Sequence, residues 1–493
     1  MAKTTGKYAV PQEIRDQKPR GTMVKKISGK YYVYEMKNIK DQETGKWKIK
    51  TGRVLGKITE EDGYIPNEDR GYTVLEYGSY YLAEKCSADI KEKFTQAFGK
   101  NDTAKRIWTL AVLCAVNGFR AISAIEILYK KSVLSLYYPD LKMGRTALSN
   151  QLDNLGRRNT ESLKFQELIS ETTNKVAIYG HVIPQTSKRD GMTEYGYKYR
   201  EFGTGPVHLL TAIDVTNNHP VAMRMFDGSK TDKISAEGLI GDISAKECLY
   251  LMDRGFYSKA LKDIIASRNS TYIMPLSPNL TLWKKASKRP RGRLKSFVYS
   301  KKEGIHTRRD VIEYHVSIEE ENTRVIAFWN TQEAVNMKAK YLDLIEKGVS
   351  GYTENKLIEA EKTFGLIVLE TTHDGAPNEI YKLYREQESG KVYFDDLKHQ
   401  MDFNALGVQD WAKLQGLAFI MLLATRISGS VKEKLQTSTM KNVYLPETWL
   451  TASSIKAIHQ NEKWVVENAT KKEKELFEAL GIEIEKKAGY PEA

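Results

Sequence analysis

Four short apolar segments in the middle of the chain constrain its fold more than any other feature. The first three, residues 175–180, 207–215 and 219–226, follow one another. A helix-like stretch, residues 235–243, then precedes the fourth apolar segment, residues 247–252. Short apolar runs between Gly, Asn and Pro are typical of strands buried in a sheet. Three strands, a helix and a returning strand predict a mixed α/β sheet. Asp253 directly follows the last strand, at the sheet edge where such folds usually place their chemistry.

The remaining segments differ in periodicity and composition. Apolar residues recur at helical spacing before the strands, while residues 284–309 carry eleven Lys and Arg against one acid and run into alternating, strand-like sequence. We predict six segments: a basic β-hairpin region (1–70), a helical DNA-binding domain (71–174), the first part of the sheet domain (175–275), a basic β-rich insertion (276–364), the second part of the sheet domain with its last helix (365–430), and a C-terminal helical tail (431–493).

Charge favours a polyanionic partner. The chain has 493 residues, a formal net charge of +13 and a pI near 9.2, which favours nucleic acid first and anionic membrane second. Its longest apolar run, residues 417–425, is far shorter than the ~18 residues of a membrane span. Three widely separated cysteines indicate neither a disulfide framework nor a zinc site. We therefore expect a soluble, cytoplasmic protein that does not bind membranes.

Two basic regions are candidate DNA contacts. Residues 1–60 hold fifteen Lys and Arg against six acids and form either a DNA-touching β module or a solvated, lysine-rich hairpin. In the insertion, basic residues interleave with Trp283, Phe297 and Tyr299, as a groove along a phosphate backbone requires; a charged loop is the alternative. A helix over 144–158 is either a recognition helix or a solvated surface. The candidate contacts are Lys284, Lys285, Lys288, Arg289, Arg291, Arg293, Lys295, Arg145, Arg157 and Arg158.

Five short segments in the order found here resemble the DDE transposases of bacterial insertion sequences, in the group whose ribonuclease H-like domain is split by a β-rich insertion. The resemblance covers roughly residues 75–430, and its most specific piece is Asp-Arg-Gly-Phe-Tyr at 253–257; the others are 178–183, 210–215 with Pro220, 364–369 and 384–398. It implies an α/β fold with a ribonuclease H-like mixed sheet split by the insertion, preceded by the helical domain and the basic hairpin region. It also implies metal-dependent cleavage and strand transfer of DNA ends.

The resemblance implies a catalytic centre of three carboxylates that bind two Mg²⁺ ions. Asp253 matches the second position. The first position, an Asp in the family, is Tyr179 here; the family's Tyr-x2-Arg-x3-Glu-x6-Lys pattern falls on Tyr384, Gln387, Lys391 and Lys398. A phenol and an ammonium cannot replace two anionic ligands. Catalytic competence is therefore open, and His181 is more simply a structural residue than a base.

Neighbouring acids could replace the missing ligands. Glu388 precedes Lys391 by three residues on the same helix face, and Asp214 and Asp190 follow nearby strands. We favour simpler roles for all three, as a surface ion pair for Glu388 and turn residues for the others, because Mg²⁺ geometry tolerates little displacement.

Two functions remain. One is a transposase that binds double-stranded DNA ends and target as a homodimer, with Mg²⁺, in a bacterial cytoplasm at the nucleoid. The other is a transposase-derived protein that binds DNA without cutting it. The number of acids at the three ligand positions separates them.

Overall fold

The computed structural model describes residues 10–40, 47–66, 73–183, 207–227, 232–243, 246–290, 294–303, 306–320, 322–400, 410–460 and 463–489. The chain divides into two compact units, Met1–Thr73 and Val74–Ala493. The first boundary lies close to the predicted one at residue 70. The finer divisions of residues 74–493 remain predictions.

Unit 1 is a four-stranded antiparallel sheet with one short helix. The strands lie in the order β1-β2-β3-β4, and the elements are α1 (Gln12–Asp16), β1 (Thr22–Ile27), β2 (Lys30–Lys40), β3 (Trp47–Thr59) and β4 (Gly63–Pro66). The predicted hairpin is confirmed, because β2 pairs with β3 up to Lys40 and Trp47. Its turn, residues 41–46, lies outside the described residues.

Unit 2 begins with a short strand and seven helices. They are β5 (Val74–Glu76), α2 (Gly78–Cys86), α3 (Ala88–Phe98), α4 (Asp102–Asn117), α5 (Ile122–Lys131), α6 (Leu134–Tyr137), α7 (Arg145–Arg157) and α8 (Thr160–Ser170). Local chemistry sets their limits: the Asn101 side chain accepts a hydrogen bond from the amide of Ala104 and so begins α4. The predicted helical segment is confirmed.

The central strands form the predicted mixed sheet. The elements are β6 (Lys175–Ile183), β7 (Val207–Asp214), β8 (His219–Asp227), α9 (Asp232–Asp242), β9 (Leu249–Leu251), a 3₁₀ turn (Arg254–Phe256), α10 (Lys259–Ala266) and β10 (Thr271–Pro275). Strands β6, β7 and β8 are antiparallel, whereas β9 returns parallel to β6 and β10 lies parallel to β9. The order β10-β9-β6-β7-β8 is a ribonuclease H-like sheet.

The insertion extends this sheet instead of forming a second one. Strands β11, β12 and β13 of the insertion and β14, which follows it, add the order β11-β12-β13-β14 beside β10, which makes nine strands. Strand β13 pairs with β14, and β14 with β10, both antiparallel. The elements are α11 (Thr281–Ala286), β11 (Lys295–Glu303), β12 (His306–Glu320), β13 (Thr323–Asn330), α12 (Thr331–Glu346), α13 (Glu354–Glu361) and β14 (Leu366–Thr371).

The C-terminal part of unit 2 pairs with the first strand of this unit, β5. It comprises α14 (Pro377–Gln400), α15 (Trp411–Thr437), α16 (Leu445–Ser453), β15 (Lys456–Gln460), β16 (Lys463–Val466) and α17 (Lys471–Ala479). The tail is not all helical as predicted, because β15 pairs with β5 and β16. Thr470 and Glu473 form a capping box at the start of α17.

Helix α15 is the central helix of unit 2. It is long and apolar enough to cross a membrane, yet 83% of its most apolar window is buried inside the protein, as in a core helix. It packs closely on α7 through glycines: a Cβ at Gly156 would lie 1.6 Å from the carbonyl oxygen of Ala412, and one at Gly416 would lie 2.1 Å from that of Leu152. These contacts require glycine because neither backbone can retreat.

Candidate active site

Strands β6 and β9 bring together Tyr179 and Asp253, the two residues that the resemblance assigns to the first and second ligand positions. The parallel register pairs Val176 with Tyr250 and Ala177 with Leu251. Two residues further along each chain stand Tyr179 and Asp253, so both lie at the same region of the sheet edge. The sequence prediction that these two positions share a site is consistent with this register.

Asp253 is exposed and begins the 3₁₀ turn that follows β9. Its carboxylate accepts a hydrogen bond of 2.7 Å from the backbone amide of Arg254. Asp253 is therefore a turn residue that contacts the backbone of Arg254. A carboxylate at this position is accessible to a ligand from solvent.

Tyr179 is buried between the sheet and α14. Its side chain is only 7% exposed, and its hydroxyl donates a hydrogen bond of 2.5 Å to the backbone carbonyl of Gln387. Burial, and then the negative charge of Asp253, raise the pKa of the Tyr179 phenol well above its usual value. At neutral pH Tyr179 is therefore an uncharged hydrogen-bond donor that packs against a helix.

Helix α14 approaches Tyr179 through a glycine. A Cβ at Gly390 would lie 2.5 Å from the Tyr179 hydroxyl oxygen, so the helix backbone and the phenol occupy adjoining space with no room for another group. Near the start of β6, Lys175 pairs with Glu386 at 3.3 Å. Tyr384 is partly buried against the main core.

Lys391, which the resemblance assigns to the third ligand position, lies on α14. Glu388, Lys391 and Lys398 belong to this helix, but their side chains lie outside the described part of the structure. Lys391 follows Gly390 directly, which places its backbone next to Tyr179.

The residues described at this site do not fit a pair of Mg²⁺ ions. Magnesium needs several oxygen ligands, usually carboxylates, and the two positions seen here supply one carboxylate, Asp253, and one neutral phenol, Tyr179. Among the described residues, no group of three or more His, Cys, Asp and Glu side chains could hold a metal ion.

Asp214 has the simple role that we favoured. It is buried, and its carboxylate accepts hydrogen bonds from the backbone amides of Thr216 and Asn217 and from the Thr173 hydroxyl. These bonds hold the turn between β7 and β8. Asp190 lies outside the described residues.

A buried cluster that the sequence did not reveal anchors the segment after Asp253. Glu370 of β14 is 1% exposed, and it accepts hydrogen bonds from Tyr257 at 2.7 Å, Tyr272 at 2.6 Å and Lys262 at 2.9 Å. Although burial lowers the pKa of Lys262, its bond and ion pair with Glu370 raise it overall, so the ammonium stays charged. The sequence signal that could have indicated this cluster is Tyr257, the last residue of the Asp-Arg-Gly-Phe-Tyr segment.

The residues of the insertion that are predicted to contact DNA differ in their exposure and ion pairing. Lys284, Lys285, Lys288 and Lys295 are exposed. Arg289 is also exposed but forms an ion pair with Glu313. Arg291 and Arg293 lie outside the described residues.

The aromatic residues of the insertion do not form a stacking surface with these lysines. Phe297 and Tyr299 pack edge-on against Tyr381, at 5.8 Å and 5.3 Å between ring centroids. Trp283 is partly buried in a smaller apolar cluster. The expectation that these rings share a groove surface with the basic residues is wrong for Phe297 and Tyr299, because strand β11 turns them toward the core.

Helix α7 has one packed side and one exposed side. Its leucines are buried, and so is Gln151, which accepts a hydrogen bond from Arg106. Arg145, Arg157 and Arg158 are exposed, and Arg157 pairs with Asp153 at 2.8 Å.

Two comparisons with known proteins find similar proteins. The family model described as "Transposase DDE domain" matches residues 177–480. A solved structure of the piggyBac transposase, in a synaptic complex with hairpin DNA, is 12% identical with a TM-score of 0.40; the similarity covers 76% of this chain and 78% of that one. A search of curated protein sequences finds no match.

Proposed function

Because the chain belongs to the DDE transposase family, we propose that it binds double-stranded DNA but does not cut it by two-metal chemistry at Asp253. The observation that carries this proposal is the contact of Tyr179 with α14. The family places a carboxylate where the Tyr179 hydroxyl donates a hydrogen bond to the Gln387 carbonyl. A neutral donor in that position cannot neutralise a divalent cation, since a metal ligand must offer a lone pair and preferably a negative charge.

The surfaces that support DNA binding lie outside this centre. The chain has a net charge of +13, and residues 284–309 contribute a large part of it. Lys284 and Lys285 project from α11, whose Ala286 is buried and fixes the helix on the sheet. Lysines held on a packed helix can neutralise phosphates without requiring a particular base sequence.

A homodimer on DNA and a location at the bacterial nucleoid in the cytoplasm belong to the same proposal. Both rest on the family. The homodimer is proposed because the pairing of two DNA ends needs two copies of an end-binding protein. The Mg²⁺ cofactor of the family belongs to the cutting alternative only.

The cutting transposase is the second candidate. It is favoured by the exposed carboxylate of Asp253 at the expected sheet edge and by the acid Glu388 on α14. For this candidate, Glu388 would have to supply a ligand and Tyr179 would have to leave its contact with Gln387.

The binding part is tested by salt titration of the affinity for a 40-base-pair duplex. Replacing Lys284, Lys285 and Lys288 by Gln should make the slope of log K against log salt shallower by about 2.7, at about 0.9 per phosphate contact. The matched control replaces Lys471, Lys472 and Lys474, three exposed lysines of α17. Equal slopes for the two triple variants would show that these lysines of the insertion do not contact DNA.

A further inference from the structure

The sheet of unit 1 has one packed face and one face rich in Lys and Tyr. On the packed face, Val33 and Ile58 are buried together with Ile14 of α1. Cross-strand pairs place Val24 beside Val33, and Tyr31 beside Ile58. Helix α1 therefore covers this face.

The residues that alternate with these point to the opposite side. Lys25 pairs with Tyr32, and Tyr32 pairs with Lys57, so the three form one row across β1, β2 and β3. Tyr34 lies next to this row, with its ring centroid 5.3 Å from the Lys25 ammonium. We call Lys25, Tyr32, Tyr34 and Lys57 the outer face.

The outer face suits a groove of double-stranded DNA. Lys25 and Lys57 are exposed and stand two strand spacings apart, about 10 Å, close to the roughly 12 Å width of the major groove. Both lysines can therefore reach the phosphates on either side of a groove that the sheet enters. Lys25 donates one hydrogen bond, to the Thr51 hydroxyl at 2.9 Å, which leaves further donors of its ammonium.

The basic charge of residues 1–60 indicates which ligand the outer face binds. Residues 1–60 contain fifteen Lys and Arg against six acids, a surplus that complements a polyanion. Tyrosine hydroxyls between the lysines add donors for phosphate oxygens, and strands in a groove are an established way of binding DNA.

We propose that the outer face of unit 1 is a DNA-binding site of its own, separate from the lysines of the insertion, and that its ligand is double-stranded DNA. This inference rests on the proposed function, since it assigns one of the surfaces by which the chain holds DNA.

The test uses the full-length chain and a 40-base-pair duplex of mixed sequence. The variant Lys25→Gln/Lys57→Gln should make the slope of log K against log salt shallower by about 1.8, from two phosphate contacts at about 0.9 each. The control Arg15→Gln/Lys26→Gln removes the same charge from the side of the sheet that carries α1, and its slope should stay that of the unchanged chain. Circular dichroism of both variants checks that unit 1 stays folded.

Each outcome has a distinct meaning. If the two variants change the slope equally, only net charge matters and the outer face is not a site. If neither changes it while the chain binds the duplex, the inference is wrong but the proposed function stands. If the unchanged chain does not bind the duplex, the proposed function itself fails. Binding to vesicles with 30% phosphatidylserine but not to the duplex would identify a membrane surface instead and overturn the inference.

Discussion

Replacing Tyr179 by Asp restores the family residue and tests whether the position is now part of the core. The Tyr179 side chain is 7% exposed, and a buried aromatic residue of this kind removes about 150–250 Å² from water. At about 25 cal/mol per Å², that burial is worth about 4–6 kcal/mol. Since Asp recovers little of it, we expect Tyr179→Asp to destabilise the protein by about 4 kcal/mol in metal-free buffer.

The pH dependence of this loss has a definite sign. The same burial and the same charge of Asp253 that raise the pKa of Tyr179 would raise the pKa of a carboxyl placed there. A carboxyl whose folded pKa exceeds its unfolded pKa destabilises more as the pH rises through the folded value. The loss should therefore be larger at pH 8 than at pH 5.

Thermal unfolding of the full chain measures both effects. The control is Tyr179→Phe, which keeps the ring and removes the hydroxyl that bonds to the Gln387 carbonyl, at a cost of about 1 kcal/mol. If Tyr179→Asp melts no lower than Tyr179→Phe at pH 8, the position is a solvated site and our reasoning about the packed phenol is refuted.

Three further predictions concern packing and charge. Gly156→Ala should cost about 2 kcal/mol or more, because its Cβ would meet the carbonyl oxygen of Ala412 at 1.6 Å, and strain outweighs the gain of about 1 kcal/mol in helix propensity; an unchanged melting temperature would refute the contact. Glu370→Gln should cost about 3 kcal/mol, because it leaves the Lys262 ammonium without its carboxylate, and a drop no larger than that of a surface Glu→Gln would contradict this. Burial lowers the pKa of His219, so protonation favours the unfolded chain and stability should fall as the pH drops below about 6.5; His219→Gln should flatten that fall between pH 7 and pH 5, and an equal fall in both proteins would exclude His219 as the cause.

The sequence allowed the central strands and the long helix α14 to be predicted because their signals are local. Apolar runs between turn residues predict strands such as β7, every residue of which is buried. The position of Asp253 after β9 followed from the same pattern. These features depend on residues a few positions apart, which periodicity describes well.

Features that depend on distant pairing could not be predicted. The extension of the sheet through β13 and β14 requires a register between strands that two helices separate in the chain. The role of Glu370 depends on the pairing of β10 with β14. For β11, alternation was visible, but it could not tell that Phe297 turns inward while Val298 is 61% exposed. Tyr179 bonds to a backbone carbonyl. Every residue has such a carbonyl, so the amino-acid sequence does not reveal this contact.

According to the proposed function, this member of the DDE transposase family holds DNA without cutting it at Asp253. The most direct measurement is cleavage of a plasmid carrying the DNA that flanks its own gene, with Mg²⁺ or Mn²⁺, by the unchanged chain, Asp253→Ala and Tyr179→Asp/Lys391→Glu. We predict that the unchanged chain binds this DNA and leaves it intact, and that cutting arises only in the double variant and is lost when Asp253→Ala is added to it. Cutting by the unchanged chain that disappears with Asp253→Ala would contradict the account and identify a working transposase.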